Sequence, residues 1–186
     1  FKINLNNMRS SILNKYNQFG ANDDEKVFRF IDKSLENFYN IEIILKIFPK
    51  AKFLHTYRDS KDAVISIYQS MLSELSWTYS IESILDYIEN YRNIINYFKK
   101  KYPENIMDID LKNLTENSEK TSKKIFDFCK LNWSKKVLDY YKRDNLFTKT
   151  ISSTQIRKKI GINNQVKYNN YYYLLNDLQR KYKWLS

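Results

Sequence analysis

An Arg-Asp pair, Arg58-Asp59, stands where an apolar, β-prone run ends and a polar one begins. Ala51 to Tyr57 reads as a buried strand, and Arg58-Asp59-Ser60-Lys61-Asp62 as the turn that leaves it. Asp59 or Ser60 can cap the helix that follows, and Asp62 suits that helix's positive first turn. A strand running into a capped helix presents groups to an anionic ligand, and an arginine at the strand's C-terminal end can fork onto a phosphate. Ser66 falls on a polar stripe with Asp62 and Gln69, while Ala63, Ile67 and Met71 form the opposite, apolar stripe. Taken alone, the pair reads as a surface arginine beside a solvated helix serine. The surrounding pattern is what gives it chemistry.

The elements that must position these residues follow from periodicity. Leu5, Met8, Ile12 and Tyr16 keep helical spacing up to Gly20, and Asn22 to Lys26 is a polar connection. Val27 to Ile31 reads as a short strand. Asn37 to Phe48 is a helix with Phe38, Ile41, Leu45 and Phe48 on one face, and Pro49 ends it. The strand Ala51 to Tyr57 completes a strand-helix-strand unit, which predicts a parallel pair. Helices are expected over Ala63 to Leu72, Ile81 to Lys101 and Ser118 to Lys130. The long one carries Ile84, Ile88, Tyr91, Ile95 and Phe98 on one face. Asn105 to Leu111 alternates as a third strand. Thr148 to Lys167 has no clear period, and Asn169 to Leu185 reads as a closing helix. Three strands alternating with helices predict an α/β fold, a three-layer open parallel sheet flanked by helices. In such sheets ligands bind beyond the strands' carboxyl ends, where Lys33 and Arg58 are both expected.

Composition bounds the reading. The chain has 186 residues, 42% of them hydrophobic and 16% aromatic, enough for one domain, residues 1–186, with a core of its own. No apolar run reaches the roughly 18 residues of a membrane span. Cys129 is the sole cysteine, which fits a cytoplasmic setting, and one His with one Cys argues against a His/Cys metal site. The net charge of +11 admits nucleic-acid binding, but the lysines are scattered and the densest cluster, Arg157-Lys158-Lys159, is short. A basic pocket for a polyanionic nucleotide accounts for part of the charge equally well. Only Gly20 and Gly161 are glycines, so these residues hold no glycine-rich phosphate loop.

The stretch FPKAKFLHTYRDSKDAVISIY, Phe48 to Tyr68, resembles the 3′-phosphate-binding segment of the sulfotransferases, F-P-x-A-K-x-I-H-x-x-R-D-P-x-D-x-x-x-S-x-Y. It matches at Phe48, Pro49, Ala51, Lys52, His55, Arg58, Asp59, Asp62, Ser66 and Tyr68, with Ser60 in place of the usual Pro. The resemblance implies a P-loop-like sulfotransferase fold using 3′-phosphoadenosine 5′-phosphosulfate (PAPS), with Arg58 and Ser66 on the 3′-phosphate. Asp32-Lys33-Ser34-Leu35-Glu36-Asn37-Phe38 resembles D-K-x-P-x-N-F of the branch holding the tyrosylprotein sulfotransferases and tetratricopeptide-repeat sulfotransferases. It implies that Lys33 stabilises charge developing during transfer. Thr150 to Ile160, TISSTQIRKKI, is similar to the late segment S-x-x-Q-V-R-K-P-I. It implies that Ser152 hydrogen-bonds near the phosphosulfate, and that Arg157 or Lys158 reaches a phosphate. Asp127 to Trp133, DFCKLNW, resembles the turn D-F-C-G-L-x-W, in which Phe128, Leu131 and Trp133 are core and Cys129 is an inert buried thiol.

Two departures stand out. Leu111-Lys112-Asn113-Leu114 occupies the register of the family's Tyr-Glu-Asp-Leu, so a nucleotide-contacting tyrosine is missing. Val166 and Tyr168 stand where a Gly and a Trp are usual. The family's first strand, its 5′-phosphosulfate loop and its catalytic base are expected upstream of these residues. The chain therefore reads as the C-terminal part of a catalytic domain, inactive by itself. The acceptor implied is a hydroxyl of a peptide tyrosine, a carbohydrate or a small alcohol. The competing readings are a non-catalytic nucleic-acid-binding module and another nucleotide-dependent transferase or kinase.

Overall fold

The computed structural model describes residues 4–18, 29–142 and 168–185. The chain divides into two compact units, residues 1–51 with 91–105, and residues 52–90 with 106–186.

The first unit begins with helix α1, Leu5–Gln18. The Asn4 side chain opens it by accepting from the amides of Asn6 and Asn7 at 3.1 and 3.2 Å. A 3-10 turn, Asn37–Asn40, leads into α2, Ile41–Ile47. Phe38 and Ile41 of the expected apolar face are buried, but Leu45 and Phe48 are only half-buried, and Ile47, outside that face, is buried instead. The unit also contains residues 91–101 of α4, Ile81–Lys101. There the ring of Tyr91 meets Phe38 edge-on at 4.9 Å, and the Lys101 ammonium reaches Glu42 at 3.1 Å.

The expected strand over Val27 to Ile31 is absent in its described part, Arg29 to Ile31. A strand needs a neighbour to satisfy its ladder, and this segment has none. Ile31 is 90% exposed. Phe30 packs instead against the rings of Tyr16 at 4.3 Å and Phe48 at 6.3 Å. Among the described residues, therefore, no strand leads into Lys33.

The second unit holds two parallel strands, β1, Phe53–Tyr57, and β2, Ile106–Asp110, in the register Phe53 with Ile106 through Tyr57 with Asp110. With the surrounding helices this is a mixed architecture consistent with the α/β class. The chain leaves β1 into α3, Ser60–Ser70, and leaves β2 into α5, Leu111–Glu116, then α6, Ser118–Phe128. Asp110 caps α5 by accepting from the amide of Lys112 at 2.9 Å, which ends the strand before Leu111.

The core gathers Val64 and Ile65 of α3, Ile84 and Leu85 of α4, and Leu175, Tyr182 and Leu185 from the C-terminal segment. Each aliphatic side chain among these contributes roughly 1.5–3 kcal/mol by leaving water. The closing segment is a series of 3-10 turns, Asn169–Leu175, Asp177–Arg180 and Lys183–Leu185, in place of the expected continuous helix. The buried stripe of α3 also differs from the sequence reading. Val64 and Ile65 are buried, Ala63 and Ile67 are half-buried, and Met71 is 64% exposed. The helix ends at Ser70, and Met71 turns away with a left-handed φ of 37°. Cys129 is half-buried, less enclosed than the sequence suggested.

Candidate functional site

Arg58 lies between the last residue of β1 and the cap of α3. Asp59 is that cap, its carboxylate accepting from the amide of Asp62 at 2.9 Å. Arg58 is exposed, and its Nη2 donates a long hydrogen bond of 3.4 Å to the carbonyl of Asp62. In an α-helix that carbonyl also faces the amide four residues on, here residue 66. The guanidinium thus lies over the first turn of α3, on the stripe that leads to Ser66. Ser66 is half-buried, and its carbonyl accepts from the Ser70 hydroxyl at 2.7 Å. Among the described residues no carboxylate forms an ion pair with Arg58. An exposed guanidinium without an ion-pair partner among the described residues, beside a capped helix start, is suited to a dianionic phosphate.

Beneath this turn, His55 and Asp108 face each other across the two strands, His55 Nδ1 to Asp108 Oδ1 at 2.6 Å. The His55 side chain is 12% exposed and its ring stacks on Tyr57 at 6.0 Å. His55 was legible as part of the motif. Its partner was not, because pairing depends on the register of strands far apart in sequence. Tyr172 was missed as well, although its hydroxyl donates to Asp62 at 2.7 Å. With the two 110 positions apart in sequence, no local pattern announces the contact.

Lys33 belongs to the first unit, while Arg58 and Ser66 share the second. Lys33 is exposed in a stretch without regular secondary structure after Asp32, and no ion pair engages it among the described residues. The Asp32 carboxylate is taken by the hydroxyl of Tyr16. That bond, then burial, pushes the Tyr16 phenol up to about 12. Downstream, the Ser34 hydroxyl accepts from the amide of Glu36 at 3.3 Å, which bends the chain towards the Asn37–Asn40 turn. Ser152, Arg157 and Lys158 lie outside the described residues.

A cavity of about 270 Å³ opens beside α6, lined by Leu114, Phe126, Val137, Leu138 and Tyr140 with Ser118 and Ser122. Its serine hydroxyls already have partners. Ser122 accepts from the Trp133 indole at 2.9 Å and donates to the Glu119 carbonyl at 3.0 Å, and Ser118 donates to the Thr115 carbonyl at 3.3 Å. It is an apolar packing gap and carries no anion-binding chemistry. Among the described residues no group of three His, Cys, Asp or Glu side chains is placed to hold a metal, and no helix is long and apolar enough to cross a membrane.

The arrangement of β1, Arg58 and capped α3 is accompanied by a match to a family model. Residues 2–135 match the model described as "Sulfotransferase family", which spans most of the chain. The chain belongs to the sulfotransferase family. It is similar to a protein of Aquifex aeolicus (strain VF5) described as "Uncharacterized protein", with 31% identity over 147 residues, 77% of this chain. The chain spans 19% of that relative's length.

Proposed function

We propose that this chain supplies the 3′-phosphate-binding part of a PAPS-dependent sulfotransferase. The observation that carries the reading is the Arg58 guanidinium, held over the first turn of α3 and left unpaired by carboxylates among the described residues. Arg58 would fork onto the 3′-phosphate and Ser66 would hydrogen-bond to it, which fits the donor character of both groups. Bound, the nucleotide would supply the activated sulfuryl group. Lys33 is the cation that offsets negative charge developing during transfer, and no carboxylate forms an ion pair with it among the described residues. Ser152, Arg157 and Lys158 complete the nucleotide contacts in this reading. The Asp32-Lys33 segment favours the tyrosylprotein and tetratricopeptide-repeat branch, and the acceptor is a hydroxyl of a peptide tyrosine, a carbohydrate or a small alcohol.

The test is calorimetric titration of the desulfated product, 3′-phosphoadenosine 5′-phosphate (PAP), into the chain, beside adenosine monophosphate and the Arg58→Ala variant. Binding that requires both the 3′-phosphate and Arg58 supports the reading. Equal binding of both nucleotides, or PAP binding unaffected by Arg58→Ala, overturns it.

A further inference from the structure

Two carboxylates follow Arg58 closely in sequence, and each accepts a hydrogen bond from another group. Asp59 accepts from the amide of Asp62 at 2.9 Å. Asp62 accepts from the Tyr172 hydroxyl at 2.7 Å. The second of these is the informative one. Asp62 lies on the very turn whose carbonyl Arg58 touches at 3.4 Å. A carboxylate there is a ready partner for a guanidinium, and such a pair would occupy the forked donors that a phosphate needs. Arg58 makes no such pair among the described residues.

Tyr172 is placed firmly. It sits in the turn Asn169–Leu175, and Leu175 is fully buried against Val64 and Ile65 of α3. Tyr172 itself packs against this core, and the Lys61 ammonium stands 5.8 Å from its ring centroid. Burial, then the Asp62 hydrogen bond and the nearby carboxylates, raises the phenol well above its ordinary value, so it remains a donor through the neutral range.

The geometry points to Tyr172 as a positioning residue of the anion site. Its hydroxyl holds the Asp62 carboxylate off Arg58 and leaves the guanidinium available to a phosphate. This role rests on the proposed 3′-phosphate reading and extends it to a residue that no motif marks.

A double-mutant cycle on the full chain tests it, with PAP as the probe. Tyr172→Phe removes only the hydroxyl. It frees Asp62 to pair with Arg58, and an exposed pair of that kind lowers PAP affinity by about two- to fivefold. In an Asp62→Asn background the same tyrosine change has no effect, because no carboxylate remains to compete. Equal loss in both backgrounds means a merely structural tyrosine and overturns the proposal. So does no loss in either. A readout independent of ligand is the Arg58 Nε–H resonance. It shifts on Tyr172→Phe with Asp62 present and stays put in the Asp62→Asn background; an unmoved resonance in both also overturns the role. If the unaltered chain binds no PAP, the 3′-phosphate reading falls, while the Arg58 resonance still decides whether Tyr172 restrains Asp62.

Discussion

His55 on β1 and Asp108 on β2 are register partners, and their side chains meet at 2.6 Å. The contact ties the strand that delivers Arg58 to its neighbour just before the chain enters the turn. The imidazole is largely enclosed, and Asp108 is 47% exposed, so the bond is partly screened. Asp108→Ala is expected to lower unfolding stability by about 1 kcal/mol, as for a single partly exposed hydrogen bond to a charged group. Asp108→Asn should recover part of that loss, because an amide oxygen can still accept. Urea unfolding of the three proteins checks this, and equal stabilities would refute it.

Ser66 and Arg58 should differ in weight. Arg58 offers a charged, forked contact, and Arg58→Ala is expected to weaken PAP binding at least tenfold. Ser66 offers one hydroxyl, so Ser66→Ala should cost about three- to tenfold. Arg58→Lys keeps the charge but loses the fork, and should fall between the unaltered chain and Arg58→Ala. Titrations in matched salt give the order. A larger loss from Ser66→Ala than from Arg58→Ala would reverse the assignment.

The sequence was most legible where one local pattern fixes both element and face. Ile81 to Lys101 is helical over the whole expected span, with Ile84, Ile95 and Phe98 of the expected face buried and Ile88 and Tyr91 half-buried. The strand over Ala51 to Tyr57 and the cap at Asp59 also stand where expected, give or take the strand's first residues. What failed depended on distant neighbours. Arg29 to Ile31 has strand-like residues but no adjacent strand, and Phe30 goes to an aromatic contact instead. Leu111 continues an alternating pattern, yet Asp110 caps a helix there. At the site, Arg58 was readable from its place after β1, whereas Asp108 and Tyr172 reach the same region only through strand register and core packing.

Lys130 adopts a left-handed φ of 54° just after α6. The amide of Leu131 reaches the Phe126 carbonyl at 2.8 Å, and that of Lys130 reaches Asp127 at 2.9 Å, the paired bonds of a Schellman turn. The resembled sequence D-F-C-G-L-x-W has Gly at this point, where a side chain costs about 1 kcal/mol. Lys130→Gly is therefore expected to raise stability by up to about 1 kcal/mol, less the extra entropy of Gly in the unfolded chain. Thermal unfolding decides it, and a lowered midpoint would mean that the lysine side chain stabilises the turn.

Tyr16 and Asp32 make the segment before Lys33 sensitive to alkali. The Asp32 hydrogen bond first, then burial and the negative charge of Asp32, push the Tyr16 phenol up to about 12. An unfolded tyrosine ionises near its ordinary value of about 10. Between those two values the folded chain keeps a proton that the unfolded chain has lost. The stabilisation is therefore fully present below pH 10 and is lost as pH rises through 12. The Tyr16 13Cζ resonance should show its midpoint near 12, and in an Asp32→Ala variant the midpoint should fall back towards 10. A midpoint unmoved by that substitution would show that burial, and not Asp32, holds the phenol protonated.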